Sequence, residues 1–131
     1  MPTFREAIEV RDMDAVDALL SDDVVFRSPV AFKPYAGKAI TSAILRNVVE
    51  VFADFHYVRE VGAEGAADHV LVFEATVDGL ALTGADFLRF DDDGKIVELM
   101  VMVRPLRAAE ALAKEMGARF DRIVAMAAGQ D

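Results

Sequence analysis

The most unusual side chain in this sequence is the carboxylate of Asp86, which lies in an apolar stretch. Side chains of a β-strand alternate between its two faces, so a strand through this stretch places Asp86 on the same face as Leu82, Gly84 and Leu88. An unpaired carboxylate among apolar neighbours is costly to ionise. Its pKa therefore rises, and the neutral acid can donate a hydrogen bond to a ligand. The alternative is a structural carboxyl, held by a backbone amide or by water.

Two further side chains, His56 and Ser28, are candidates to assist Asp86. An imidazole titrates near neutral pH, so His56, at the start of a predicted strand, is a candidate general base; the alternative is a surface histidine. Ser28 follows a short predicted strand, and no Gly-x-Ser-x-Gly pattern surrounds it. We therefore expect Ser28 to act as a pocket hydroxyl rather than as a nucleophile.

Metal and cofactor sites find no support in the sequence. Cysteine is absent, and the two histidines, His56 and His69, belong to no HExxH helix and to no other close spacing of histidines and carboxylates that would define a metal site. The acidic run at residues 91–93 lacks the glutamate that an EF-hand requires, which favours a solvated turn. The chain also has no glycine-rich phosphate loop. We predict neither a metal nor a cofactor.

Composition restricts the class of protein and its partners. A chain of 131 residues, 54% of them hydrophobic, is typical of a single folded domain, so we predict one domain over residues 1–131. The formal net charge of -9 disfavours binding to nucleic acid and to anionic membranes. The first residues lack the basic start and apolar run of a signal peptide, and no apolar stretch approaches the roughly 18 residues of a membrane span. These features favour a cytoplasmic protein.

Helices are predicted at the N-terminus, in the middle of the chain and at the C-terminus. Thr3 and Glu6 have the spacing of a capping box, and the apolar residues that follow predict one bent helix or two over residues 3–20. A second helical pattern covers residues 38–54. An amphipathic helix begins after Pro105, with a potential break at Gly117.

The remaining apolar segments are predicted strands. A short strand at residues 24–28 precedes a loop at residues 29–38, which is rich in proline and glycine. Asp78-Gly79 is a tight hairpin signal. From residue 56 onward the pattern predicts an antiparallel meander of four strands, at residues 56–63, 69–77, 80–90 and 95–104.

Both faces of the last predicted strand are largely apolar. Leu99 and Val101 lie on one face, and Met100 and Met102 lie on the other. A sheet that is covered on one face only alternates between apolar and polar residues. We therefore expect the second face to meet the C-terminal helix, a second copy of the chain or both, which favours a homodimer.

Three segments together carry a resemblance to a known family. They are the short strand ending in Phe26-Arg27-Ser28-Pro29-Val30, the Gly37-Lys38 pair before a helix, and the stretch from Asp86 to Ile96. Over residues 3–104 the chain resembles the nuclear transport factor 2-like superfamily, in particular its SnoaL-like and ketosteroid-isomerase-like members. The resemblance implies an α+β fold in which a cone-shaped, curved antiparallel sheet, the cystatin-like roll, wraps around N-terminal helices, with an added C-terminal helix.

The resemblance also implies roles for individual positions. Asp86 falls where ketosteroid isomerases keep the protonated aspartate of the oxyanion hole. Ser28 occupies the place of the general-base aspartate, and Phe4 the place of the oxyanion tyrosine, while Leu20 and Leu45 replace two supporting tyrosines. With the base and the oxyanion tyrosine absent, we predict that the chain is not a steroid isomerase.

The same resemblance implies a pocket that admits a small hydrophobic molecule, and a dimer contact on the outer face of the sheet. The predicted pocket residues are Phe4, Phe26, Leu71, Phe73, Leu82, Leu88, Leu99, Val101 and Val103. The predicted dimer contact comprises Glu74, Glu98, Met100, Met102 and Arg104.

Two functions remain open at this point. The first is binding of a small, mainly hydrophobic molecule, with cofactor-free acid–base catalysis of the isomerase, cyclase or dehydratase type by Asp86, assisted by Ser28 or His56. The second is a non-catalytic dimeric module that binds a ligand or a protein, in which Asp86 is structural.

Overall fold

Two helices, two strands and a third helix form the first part of the chain, and a run of four strands precedes the C-terminal helices. The computed structural model describes residues 2–129. The helices are α1 (Phe4–Glu9), α2 (Met13–Leu19), α3 (Lys38–Val51), α4 (Leu106–Ala118) and α5 (Phe120–Ala127). The strands are β1 (Leu20–Arg27), β2 (Tyr35–Ala36), β3 (Ala53–Val61), β4 (Asp68–Val77), β5 (Leu80–Phe90) and β6 (Ile96–Arg104).

The N-terminal helical segment is two helices. The predicted capping box is present: the Glu6 amide donates to Thr3 Oγ1 at 3.2 Å, and the Thr3 amide donates to Glu6 Oε1 at 2.9 Å. Arg11, with φ 56°, lies in the turn between α1 and α2, and Asp12 caps α2 by accepting from the Ala15 amide at 3.1 Å. The strand predicted to begin at residue 24 begins instead at Leu20, directly after α2.

All six strands form one curved, unclosed sheet in the order β2-β1-β6-β5-β4-β3. Strands β3 to β6 form the predicted antiparallel meander, and β1 lies parallel to β6. The loop predicted at residues 29–38 contains β2, which pairs with β1 through Val25 and Ala36. The α+β class and the curved sheet agree with the sequence-based prediction.

The helices pack on the concave face of the sheet. Ile8 of α1, Ala43 of α3 and Leu112 of α4 are buried in one core with the inward-facing strand residues. The C-terminal helix therefore covers the inside of the cone. On the outer face, Met102 of β6 is 52% exposed, so α4 does not cover this surface.

Gly84 allows close packing in the middle of the sheet. It pairs with Phe73 across β4 and β5, and a Cβ atom at this position would collide with the Phe73 ring. Phe73 is 1% exposed, so its ring cannot move out to solvent without losing its packing. The glycine thus lets a large aromatic side chain lie against the β5 backbone.

Candidate functional site

A mostly apolar cavity of about 240 Å³ lies between the concave sheet and the helices. Aromatic side chains form much of its wall: Phe4, Phe26, Tyr35, Phe52, Phe55, Tyr57, Phe73 and Phe120. Its polar side chains are few, and they include Ser28, Asp86 and the two tyrosines. Such a combination is typical of a small-molecule site, where a few polar groups orient a ligand that apolar surface binds.

Asp86 lies in the cavity wall on the inward face of β5, as alternation predicts, and it is 7% exposed. Burial raises the pKa of its carboxyl to about 7, because the charged form loses its hydration. A hydrogen bond from the Tyr57 hydroxyl to Oδ2, at 3.2 Å, acts in the opposite direction. Near neutral pH the carboxyl is therefore present in both its neutral and its charged form.

Tyr57 is the candidate site residue that sequence reasoning missed. Its ring is buried and makes edge contacts with Phe55 and Phe73, at centroid distances of 5.0 and 6.4 Å. Burial and the neighbouring Asp86 carboxylate raise the pKa of the phenol above its usual range, so the hydroxyl keeps its proton and serves as a donor. The signal was available, because Phe55 and Tyr57 are two residues apart in a strand and share a face.

Ser28 also lines the cavity, one residue beyond the end of β1. Its Oγ accepts a hydrogen bond from the Val30 amide at 3.0 Å. This contact uses the oxygen as an acceptor, and the hydroxyl proton has no acceptor among the described residues 2–129. Ser28 can therefore donate to a ligand.

His56 lies outside the cavity, which corrects the expectation that it assists Asp86. Its Nε2 lies 3.3 Å from Glu74 Oε1, its Nδ1 lies 3.0 Å from the Asp54 carbonyl oxygen, and the side chain is 58% exposed. The reason is the register of β3. With Tyr57 facing inward, the preceding residue faces outward.

The predicted pocket residues divide into two groups. Phe4, Phe26, Phe73 and Val101 line the cavity. The others belong to the packed core and not to the cavity wall, which corrects their assignment: Leu71, Leu82, Leu88, Leu99 and Val103. Alternation predicts which side chains face inward, but it does not predict where space remains between them and the helices.

Much of the cavity wall comes from helices that the sequence did not assign to the pocket. Leu45 and Val48 of α3, Leu112 and Met116 of α4 and Phe120 of α5 all line it. Leu45, expected from the resemblance at the place of a supporting tyrosine, therefore contributes apolar wall. The C-terminal helix, whose position the sequence left open, forms part of the cavity.

Two large apolar residues of the cavity wall are exposed at the surface. Val30, in the segment after β1, is 40% exposed, and Phe120, the first residue of α5, is 45% exposed. Arg119, at the junction of α4 and α5, donates to Glu50 Oε1 at 2.6 Å and to Asn47 Oδ1 at 3.3 Å. These bonds attach the C-terminal helices to α3.

Residues 2–129 contain no group of three or more histidine, aspartate or glutamate side chains placed to hold a metal ion. Across the same range, no helix combines the length and the apolar character that a membrane crossing requires.

The polar side chains that line the cavity carry a carboxyl, two phenols and a serine hydroxyl. They can donate hydrogen bonds and, through Asp86, exchange a proton with a bound molecule.

Residues 3–99 match the family model of the SnoaL-like domain. A search of curated proteins gave no match. A steroid delta-isomerase from Pseudomonas aeruginosa is 46% identical to the chain, with a TM-score of 0.84, covering 91% of this chain and 87% of that one.

Two more solved structures support the fold. A conserved bacterial protein with a cystatin-like fold from Silicibacter pomeroyi is 30% identical, with a TM-score of 0.86, covering 94% of this chain and 88% of that one. A nuclear transport factor 2-like protein from Cytophaga hutchinsonii is 17% identical, with a TM-score of 0.60, covering 78% of this chain and 84% of that one. The last likeness concerns the fold alone.

Proposed function

Because this chain belongs to the SnoaL-like domain family of the nuclear transport factor 2-like superfamily, we propose that its cavity binds a small, mainly hydrophobic molecule and that Asp86 performs cofactor-free acid–base chemistry on it. The observation that carries the proposal is the Asp86 carboxyl in an apolar cavity wall, with the Tyr57 hydroxyl 3.2 Å away.

The size and lining of the cavity support a ligand of one or two rings. Its volume of about 240 Å³ exceeds the roughly 150 Å³ of a cavity that binds benzene. The aromatic wall provides apolar contact area, and transfer of a ring from water to such a wall is favourable at roughly 25 cal/mol per Å². A neutral ligand is favoured, because no lysine or arginine lines the described part of the cavity.

The pKa of Asp86 supports acid–base chemistry. General acids and bases work best when their pKa lies near the operating pH, and that of Asp86 is about 7. The neutral form can donate to a carbonyl or hydroxyl oxygen of the ligand, while the charged form can accept a proton from carbon. Isomerisation, aldol-type cyclisation and the addition or loss of water all fit this chemistry.

Some observations support steroid isomerase activity for this chain, and others oppose it. The Pseudomonas aeruginosa structure at 46% identity bears the name of a steroid delta-isomerase, and Tyr57 supplies a phenol beside Asp86. Asp86 is, however, the single carboxylate among the described residues that line the cavity, and Ser28 stands where a general-base aspartate is expected. The absence of steroid isomerase activity therefore remains our prediction, and it can be measured by the absorbance of the conjugated enone product of a Δ5-3-ketosteroid.

A second function, a non-catalytic dimeric binding module, is favoured by the outer face of the sheet. Met102 is 52% exposed on this face, which it shares with Met100, Glu74 and Arg104, and α4 covers the opposite side. An exposed apolar patch on a sheet is typical of an interface. We propose that the chain forms a homodimer through this face, whether or not the cavity is catalytic.

The cytoplasmic location of the protein also remains a prediction from the sequence.

Hydrogen–deuterium exchange into a ketone probe tests both functions without knowledge of the natural substrate. We would follow binding of acetophenone by NMR at pH 6–8, and then follow exchange of its methyl protons in D₂O. Acid–base catalysis predicts faster exchange with the wild type, loss of the acceleration in Asp86→Asn, and unchanged acceleration in Asp92→Asn, which alters an exposed turn carboxylate.

Two other outcomes of this experiment would contradict catalysis or the proposed function as a whole. Binding without accelerated exchange would favour the non-catalytic module. Failure of acetophenone and of purely apolar rings such as ethylbenzene to bind would contradict the proposed function.

A further inference from the structure

Two polar side chains lie at the same level of the sheet, on either side of an apolar strand position. Asp86 of β5 pairs with Val101 of β6. On the other side of β6, Arg27 of β1 pairs with Met100 in parallel register, and extending that register by one residue places Ser28 beside Val101. Phe26 faces the cavity, and Ser28, two residues on, faces the same way.

The separation of these two groups can be derived from the geometry of a sheet. Neighbouring strands lie about 4.8 Å apart, so the Cα atoms of Ser28 and Asp86 are separated by roughly two spacings, or about 10 Å. The concave curvature brings their inward side chains closer than that. Val101, between them, lines the cavity with an apolar side chain.

Both groups can donate a hydrogen bond into the cavity. The Ser28 oxygen already accepts from the Val30 amide at 3.0 Å, which fixes the side chain and leaves the hydroxyl proton free. On Asp86, Oδ2 accepts from the Tyr57 hydroxyl at 3.2 Å, so the neutral acid has its other oxygen for a donor bond to a ligand. Ser28 is half-buried, and a ligand that displaces water from its hydroxyl without offering an acceptor leaves this donor unpaired, which is costly.

We propose that the ligand of this cavity carries two hydrogen-bond acceptors on opposite sides of a hydrophobic ring, one facing Asp86 and the other facing Ser28; this deepens, and rests on, the function proposed above. Ser28 is then a specificity-determining residue. It selects ligands that carry an oxygen at the end remote from the group that Asp86 binds. The ligand class is an oxygenated ring ketone or a comparable neutral compound, rather than a plain hydrocarbon ketone.

The test compares two probes of the same shape. In 4-methoxyacetophenone the ether oxygen stands para to the ketone, and in 4-ethylacetophenone a methylene group replaces that oxygen. Dissociation constants are measured by NMR titration of the intact protein at pH 6. Because one neutral hydrogen bond is worth about twofold to tenfold in affinity, we expect the wild type to bind the methoxy probe more tightly by that factor.

Variants assign the effect to Ser28. In Ser28→Ala, the preference for the methoxy probe should disappear while the affinity for the ethyl probe stays unchanged, and Ser28→Thr should restore the preference. Ser21→Ala is the matched control, because Ser21 Oγ accepts from the Asp23 amide at 3.2 Å in the same two-residue turn but Ser21 does not line the cavity. Tyr35→Phe tests the competing donor, since Tyr35 also lines the cavity, with its ring centroid 6.4 Å from that of Phe26.

Three results would overturn the inference. Equal binding of both probes to the wild type would show that no second donor acts. If Tyr35→Phe lost the preference and Ser28→Ala kept it, the second donor would be Tyr35 and not Ser28. Failure of both probes and of ethylbenzene to bind would remove the proposed function together with this inference, whereas binding of both probes with equal affinity would remove the inference alone.

Discussion

The Tyr57 phenol donates a hydrogen bond to Oδ2 of Asp86 at 3.2 Å, although the two residues lie on β3 and β5, with β4 between them. Tyr57 pairs with Phe73, and Phe73 pairs with Gly84, two residues from Asp86. The contact thus crosses a strand inside the cone. It gives the buried carboxyl its one protein donor among the described residues and leaves its other oxygen for the cavity.

The first prediction concerns the pH dependence of stability. Burial raises the pKa of Asp86 from its ordinary value of 3.8 to about 7 in the fold, so between these values this carboxyl binds more protons in the folded state than in the unfolded state. The contribution of Asp86 to the free energy of unfolding therefore falls as pH rises from about 4 to about 7 and then levels off. Three pH units correspond to an upper figure of about 4 kcal/mol.

Asp86→Asn isolates this contribution, since the amide does not titrate. Relative to the wild type, the variant should gain stability with increasing pH over this window, as measured by urea unfolding at pH 4.5, 6 and 8. Asp92→Asn, in an exposed turn, should follow the wild type. If the free energies of unfolding of the wild type and of Asp86→Asn changed with pH in parallel, the pKa of the Asp86 carboxyl would not be raised in the fold.

The second prediction is that Tyr57→Phe raises the pKa of Asp86 further. The hydroxyl stabilises the charged carboxylate, and a hydrogen bond to a charged group is worth about 1 to 2 pH units. The phenylalanine ring keeps the contacts with Phe55 and Phe73. The midpoint is measured from the carboxyl ¹³C shift of Asp86, with Tyr35→Phe as a control that should not move it; a lower midpoint in Tyr57→Phe would contradict the assignment.

The third prediction is that Gly84→Ala destabilises the fold by about 1–3 kcal/mol, the usual cost of overpacking. The added Cβ collides with the Phe73 ring, which is buried and lines the cavity. Gly117→Ala is the matched control. A Cβ at this helical position meets no atom within 4 Å, so this change should stabilise α4 by about 0.5–1 kcal/mol. Thermal unfolding measures the stability of both variants. If Gly84→Ala were as stable as the wild type, the Phe73 ring would have room to shift.

The fourth prediction concerns the attachment of the C-terminal helices. Asn47 is 1% exposed, and its Oδ1 accepts from Arg119 Nη1 at 3.3 Å. Arg119→Ala leaves this buried acceptor unpaired and releases Glu50, so it should cost about 1–2 kcal/mol in urea unfolding. Arg122→Ala, at an exposed position of α5, should stay within about 0.5 kcal/mol of the wild type. Equal losses in the free energy of unfolding for Arg119→Ala and Arg122→Ala would show that the hydrogen bonds of Arg119 do not stabilise the fold.

The fifth prediction tests the proposed dimer. Light scattering should give a dimer for the wild type and a monomer for Met102→Glu, because the change places a charge in an apolar contact. Val10→Glu adds the same charge at a residue that is 74% exposed, at the end of α1, and should leave the dimer intact. A Met102→Glu dimer would place the contact on another surface, and a monomeric wild type would remove the proposal.

Local patterns predicted most of the fold. The capping box at Thr3, the hairpin at Asp78-Gly79 and the apolar periodicity of α3 are signals contained within a few residues. Alternation along β5 also predicted that Asp86 faces inward, since the direction of a side chain in a strand depends on its position alone. Two features had no such local signal: the two-residue strand β2, and the early start of β1 at Leu20.

The sequence by itself therefore determined the order of the elements except β2, the inner and outer faces of β5 and β6, and the place of one carboxyl on the inner face. Only the tertiary structure decided which inward residues border empty space. It joined Tyr57 to Asp86, turned His56 outward toward Glu74, and placed Ser28 in the same cavity wall as Asp86. The physical reason is that a cavity is the volume left after helices dock on a curved sheet. Contacts across it depend on strand register, curvature and helix position together, and none of these can be read from a single segment.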